Sequence, residues 1–189
     1  MTQAIKILGI VGSLRRNSYN LYAMRAAKSK APQDTELEIF TLDGIPPFNQ
    51  DEEQHPAAKV VQLKSSIRSA DALLIATPEY NYSIPGVLKN AIDWATRPYG
   101  DNPFTGKPTA IMGASPGGMG TSRSQYHLRQ VLVALNAYTL NRPEMMISHA
   151  DEAFDGDGRL IDEKLNAQLE KLLNALVRWT LRLKNPPAQ

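Results

Sequence analysis

The chain has no cysteine among its 189 residues. That absence excludes disulfides, thiolate nucleophiles and thiolate metal sites, and it leaves any redox chemistry to a cofactor. Histidine occurs only at positions 55, 127 and 149, without the tight spacing of a metal site. No run approaches the roughly eighteen apolar residues of a membrane span. The opening stretch MTQAIKILGIV lacks the basic lead and cleavage site of a secretory signal. A cytoplasmic location with no membrane partner is the expectation. Charge of one sign is lacking too: 21 Lys+Arg stand against 19 Asp+Glu, net +2, which gives no field suited to nucleic acid. The expected partner is a small molecule.

What the sequence does contain is alternation. Short Val/Ile-rich runs at 5–11, 37–42, 72–77, 109–113 and 138–140 read as strands. Stretches of helical period at 20–29, 56–69, 85–97, 122–135 and 161–183 lie between and after them. Pro85 stands where a helix tolerates proline, at its start. Ser122-Arg-Ser-Gln125 has the form of a capping box. Leu165, Leu169, Leu172, Leu176 and Leu183 form a seam read as one helix packing on a sheet rather than a coiled coil. The pattern predicts a single α/β domain over residues 1–185, an open doubly wound sheet of five parallel strands with helices on both faces, and a loose tail at 186–189. In such sheets ligands bind beyond the carboxyl ends of the strands, so the segments after each strand carry the functional reading.

After the first strand comes GSLRRNSYN, residues 12–20. The hydroxyls of Ser13 and Ser18, the amide of Asn20, the guanidinium of Arg15 and the N–H groups of a helix start suit a phosphate dianion. The same residues also suit a polar loop with a Ser or Asn cap. Neither G-x-G-x-x-G nor G-x-x-x-x-G-K-[ST] occurs here, which argues against the usual NAD cradle and against nucleotide hydrolysis. After the third strand, TPEYNYSIPG (77–86) sets an aromatic and amide cluster between two prolines, a way to hold backbone groups against a planar ring. A stiff turn with surface tyrosines is the other reading.

After the fourth strand, Gly117 and Gly118 leave room for a ligand beside the Ser115 hydroxyl. Gly113-Ala-Ser115-Pro-Gly117 also matches the nucleophile elbow G-x-S-x-G, and Ser115, Glu144 and His149 stand in an order that suits a hydrolase triad. Against it, the residue after the serine is Pro116, which has no N–H for the oxyanion hole. Losing such a donor costs roughly 3 kcal/mol of transition-state stabilisation. The acidic turn 151–158 imitates a calcium loop, but Ala153 takes a ligand position and a strand is expected to lead in. It reads as a turn before the last helix.

Taken together, GSLRRNSYN, PEYNYSIPGVLKNAIDW and SPGGMGTSRSQYHLRQ strongly resemble the NADPH-dependent FMN reductase family of the flavodoxin-like fold, with its quinone, chromate and azo-dye reductases. The resemblance runs from about residue 5 to 147, and the second segment is its most specific part. It implies a flavodoxin-like sheet and FMN with its phosphate on Ser13, Arg15, Ser18 and Asn20. The flavin ring would lie along Pro78, Glu79, Tyr80 and Asn81, with Ser115, Gly117 and Gly118 on the other flank. It implies a ping-pong oxidoreductase using NADPH or NADH, with a quinone as acceptor and nitroaromatics, azo dyes or chromate as further ones. The resemblance also implies a homodimer or homotetramer, with Trp94, Arg123, Tyr126 and Glu144 near the contact. No catalytic side chain is named, since the flavin carries the chemistry. The rival in another class is a flavodoxin-like electron carrier without NAD(P)H turnover. Flavodoxins are commonly acidic, whereas this chain has a pI near 8.8.

Overall fold

The computed structural model describes residues 4–185; the tail expected at 186–189 lies outside the described residues. The central strands β3 (Ala72–Ala76, ALLIA) and β4 (Pro108–Ala114) are buried along their whole length. Continuous apolar runs of this kind belong to parallel strands covered on both faces. With β1 (Ile5–Val11), β2 (Thr35–Thr41) and β5 (Tyr138–Thr139) they form a parallel sheet in the order β2-β1-β3-β4-β5. The chain thus turns from one side of β1 to the other between β2 and β3, and this reversal is the topological switch point of a doubly wound sheet.

The register brings the carboxyl ends together. Val11 pairs with Ala76, and Ala76 with Met112. Helices α1 (Tyr19–Ser29) and α6 (Glu163–Lys184) cover one face, where Met24, Leu169, Leu172 and Leu176 meet Ile7, Leu74 and Met112. Helices α2 (Ala58–Ser69), α3 (Gly86–Ala95) and α4 (Ser122–Ala134) cover the other through Leu63, Ile67, Leu88, Ile92, Leu128 and Leu132. The leucine seam of α6 therefore packs on the sheet, as expected. Asp162 caps that helix by accepting from Leu165 N at 2.9 Å.

Three expectations need correction. The fifth strand is interrupted: β5 (Tyr138–Thr139) pairs with the start of β4, and β6 (Met145–Ile147) with its end. The intervening polar segment includes Pro143, which has no N–H to give a ladder. The capping box does not form. Thr121 holds the N-cap position of α4 without a side-chain cap, the Ser122 hydroxyl is buried without a partner, and Gln125 turns inward to Thr121 Oγ1 and Met145 O. Finally, the acidic turn is entered from a one-turn helix, α5 (Ala150–Ala153), rather than from a strand. Asp155 then closes the turn by accepting from Asp157 N and Arg159 N.

Candidate functional site

The site is built where β1, β3 and β4 end. Gly12 still belongs to the sheet, its N–H donating to Ala76 O at 2.8 Å, and the chain then leaves through Ser13–Asn17 into α1. Ser18 is the N-cap of α1 and accepts from Asn20 N at 3.2 Å. Ser13 Oγ accepts from Arg15 N at 3.3 Å. Both hydroxyls are buried and keep their hydrogens free to donate. Among the described residues the N–H groups of Asn17, Ser18 and Tyr19 find no acceptor, those of Ser18 and Tyr19 because they open a helix. Arg15 is exposed and makes no ion pair among the described residues. Donors from main chain, hydroxyl and guanidinium thus surround one position.

Asn20 also has a structural task. It is buried, and its amide pairs with the main chain of Ala114: Nδ2 donates to Ala114 O and Oδ1 accepts from Ala114 N. Its side chain joins α1 to the end of β4, and the second Nδ2 hydrogen has no partner among the described residues.

The segment after β3 is a tight hairpin. Tyr80 and Ser83 exchange backbone hydrogen bonds at 3.1 and 3.0 Å, with Asn81 at φ 50° and Tyr82 at φ 65° between them. Two positive φ values are the mark of a type I′ turn, which Asn tolerates and a bulky Tyr adopts only under strain. The Arg123 guanidinium lies 3.8 Å from the Tyr82 ring centroid, within cation–π range, and so helps to offset that strain. Glu79 also departs from a simple ring contact, because its carboxylate turns to the start of α4 and is engaged by Arg123 and Ser124. What Glu79 leaves for a ligand is its backbone.

After β4, Ser115 Oγ accepts from Gly117 N at 3.2 Å. Gly117 and Gly118 have ordinary φ values, and a Cβ on either would meet nothing nearer than 3.6 Å. The fold therefore does not require glycine here; the bare backbone serves close approach from outside. The triad is not assembled. Glu144 is engaged by the Tyr126 hydroxyl at 3.1 Å and Arg142 at 3.0 Å, and among the described residues no hydrogen bond joins it to His149.

One small hollow of about 60 Å³ brings together Ser13, Arg15, Ser18, Asn20, Pro78, Glu79, Tyr80 and Ser115. Asn81, Gly117 and Gly118 stand outside its wall. Beside it, sharing Ser13, Arg15 and Tyr80, opens a mostly apolar cleft of about 330 Å³ whose other walls are Gly12, Leu14, Pro85, Gly86 and Val87. The cleft has the size of a small-ligand site. The sequence reading missed Leu14, Gly86 and Val87, although all three flank residues it had singled out. Trp94, expected near an intersubunit contact, is instead 3% exposed within the chain. Its Nε1 donates to Pro46 O at 2.8 Å, and Phe48 meets its ring edge-on.

A parallel sheet of this order, with a donor-lined hollow and an apolar cleft at its switch point, defines a protein of the flavodoxin-like fold. The sequence profile of the NADPH-dependent FMN reductases matches residues 5–152, and the chain belongs to that family. It is 52% identical over 186 residues to an NAD(P)H-dependent FMN reductase of Pseudomonas aeruginosa, covering 97% of this chain and all of the other. It is 42% identical over 176 residues to a 2-hydroxy-1,4-benzoquinone reductase of a Burkholderia species, covering 93% and 96% of the two chains. The solved structure of a flavoenzyme NAD(P)H:(acceptor) oxidoreductase from Paracoccus denitrificans superposes with a TM-score of 0.87 at 37% identity, covering 95% and 98%.

Proposed function

We infer that the protein is an FMN-dependent NAD(P)H oxidoreductase that passes two electrons to quinones. The observation that carries this reading is the convergence, at one end of the sheet, of the Ser13–Arg15–Ser18 donor set with the Tyr80–Ser83 hairpin and the bare Gly117–Gly118 backbone. The donor set fits a phosphate. Ser13 and Ser18 would donate their free hydroxyl hydrogens, Arg15 would add charge-assisted hydrogen bonds, and the unpaired N–H groups of α1 would complete the shell. The backbones of Pro78, Glu79, Tyr80 and Asn81 would follow one side of the flavin ring, with Ser115, Gly117 and Gly118 on the other flank. Bound FMN supplies the redox chemistry, accepting a hydride from NADPH or NADH and delivering two electrons to the acceptor in a ping-pong order. The protein holds the phosphate, leaves one side open to exchange of donor and acceptor, and offers N–H groups where negative charge gathers on reduction.

An open, weakly directional cleft discriminates poorly among flat molecules. Nitroaromatics, azo dyes and chromate are accordingly proposed as further acceptors. We assign a homodimer or homotetramer in the cytoplasm, with Arg123, Tyr126 and Glu144 at the rim of the subunit contact; Tyr126 and Glu144 already bond to each other on the surface.

The test is a visible spectrum of the protein after loading with FMN and removal of the excess, followed by anaerobic NADPH and then a quinone. Retained flavin absorbance that bleaches with NADPH and returns with the quinone is expected. Flavin that is retained but stays oxidised would leave an electron carrier. No retained flavin would overturn the cofactor assignment.

A further inference from the structure

We propose that Glu79 is a positioning residue, which sets the shape of the flavin-facing hairpin through α4 and Arg123 rather than by touching a ligand with its carboxylate. The proposal rests on the FMN reading above. Its starting point is a mismatch between sequence and geometry. Glu79 stands in the middle of the segment assigned to the ring, yet its side chain is 6% exposed and all its polar contacts run the other way.

Oε2 accepts from Arg123 N at 3.0 Å and from Ser124 N at 3.2 Å, the first free donors of α4, and Oε1 accepts from Arg123 Nε at 2.5 Å. Helix α4 needs this partner. Its N-cap Thr121 gives no side-chain cap, and its first turn contains no acidic residue. A carboxylate at that end satisfies orphan N–H groups and sits at the positive pole of the helix dipole. Glu79 thus caps a helix that begins more than forty residues later in the chain, with |i−j| of 44 to Arg123.

Two further contacts make the connection rigid. The Ser124 hydroxyl donates to Pro78 O at 2.9 Å and lies 3.0 Å from the Thr77 hydroxyl, all of it buried. Arg123, held by Glu79 along its Nε edge, places its guanidinium over the Tyr82 ring. Tyr82 is one of the two positive-φ residues of the hairpin. The order of contacts therefore runs from the α4 N-terminus to Glu79, then Arg123, then Tyr82, and closes on the turn whose Tyr80 and Asn81 face the proposed ring. A charge pair that does not touch the ligand fixes the backbone that does.

The test uses full-length protein carrying Glu79→Gln, Arg123→Met and both together. The readouts are FMN affinity by flavin fluorescence quenching, the visible spectrum of the bound flavin, and thermal unfolding without FMN. A glutamine keeps an oxygen for the two helix N–H groups but sets an amide N–H against Arg123 Nε, so the α4 cap survives while the Arg123 clamp is lost. Each single variant is expected to loosen FMN about tenfold and shift the flavin spectrum. The double variant is expected to be no worse than either single one, because both remove the same link. Additive losses, or a loss from Glu79→Gln alone, would assign the carboxylate to the ligand and overturn the proposal. Wild-type affinity and spectrum in both single variants would overturn it as well. A wild-type chain that retained no FMN would overturn the cofactor reading and this proposal with it. If Glu79→Gln fails to fold, Arg123→Met alone decides, since a carboxylate that contacts the ligand directly predicts no loss there.

Discussion

The side-chain amide of Asn20 meets the main chain of Ala114 as one peptide meets another, with Nδ2 donating to its carbonyl at 2.9 Å and Oδ1 accepting from its N–H at 3.0 Å. Strand β3 has ended by this point, its last pairing being Ala76 with Met112. Asn20 thus supplies β4 with the neighbour that the sheet no longer provides, and it ties the segment after β1 to the one after β4.

Replacement of Asn20 by Ala leaves both groups of Ala114 buried without partners. Each unpaired group costs about 1–3 kcal/mol, so urea unfolding of the FMN-free protein should show a loss in that range or somewhat above it. FMN affinity should fall together with stability. A variant as stable as the wild type but unable to hold FMN would make the phosphate, not Ala114, the main partner of Asn20.

Arg15→Ala removes an exposed guanidinium that has no ion pair among the described residues, so the fold should be untouched. A hydrogen bond to a charged group contributes roughly 1.5–3 kcal/mol, which corresponds to FMN binding weaker by about ten- to a hundredfold. The gap between variant and wild type should narrow as salt rises. Fluorescence titration at low and high ionic strength checks both points.

Gly113→Ala probes packing beneath the site. A Cβ at Gly113 would run into the Thr121 side chain and the Thr77 carbonyl oxygen, which are backbone-anchored and cannot swing aside. Overpacking of this kind costs about 1–3 kcal/mol, and the thermal midpoint should drop. The Thr77–Ser124 contact lies next to this clash, so the cleft should loosen as well.

Acid stability follows from the opposite end of the sheet. Hydrogen bonds from Lys64, at 2.7 Å, and from Arg68 hold the Asp101 carboxyl below the usual carboxylate range, against a smaller push from burial. A folded-state pKa lowered in this way stabilises the protein above the unfolded value of about 3.9, and the contribution disappears as pH falls through the lower, folded value. Asp101→Asn should therefore be less stable than the wild type at neutral pH, by a margin that shrinks as the pH falls below the unfolded carboxylate value. Denaturant unfolding of both proteins across that interval measures the difference, and a gap that widened toward acid would contradict the assignment.

The sheet, its first four strand positions and the convergence of the three segments beyond them were legible because buried parallel strands leave continuous apolar runs and their carboxyl ends fall at one edge. Less legible was where each polar side chain would turn. Asn20 and Glu79 carry the residue types of ligand-binding positions, but their partners are main-chain groups 94 and 44 residues away, and local pattern contains no such distances. The capping box at Ser122 failed for the same reason: the cap comes from another segment. The resemblance set Trp94 near a subunit contact, and nothing near it in sequence reveals that the chain around Pro46 and Phe48 folds over it. The fifth strand was half seen, since three residues, Met145–Ile147, are too few to show a period.

That divided strand has a bearing on how the molecule behaves in a crowded solution. A long, flat, apolar outer strand is a template on which other chains can extend a sheet, the first step of many aggregates. Here one border of the sheet is broken into pieces of two and three residues. The opposite border, β2, carries Glu36 and Glu38, whose like charges would face those of any identical copy laid alongside. Both borders thus resist growth by strand addition. The interruption before Glu144, which looks like a flaw in the sheet, limits its lateral extension.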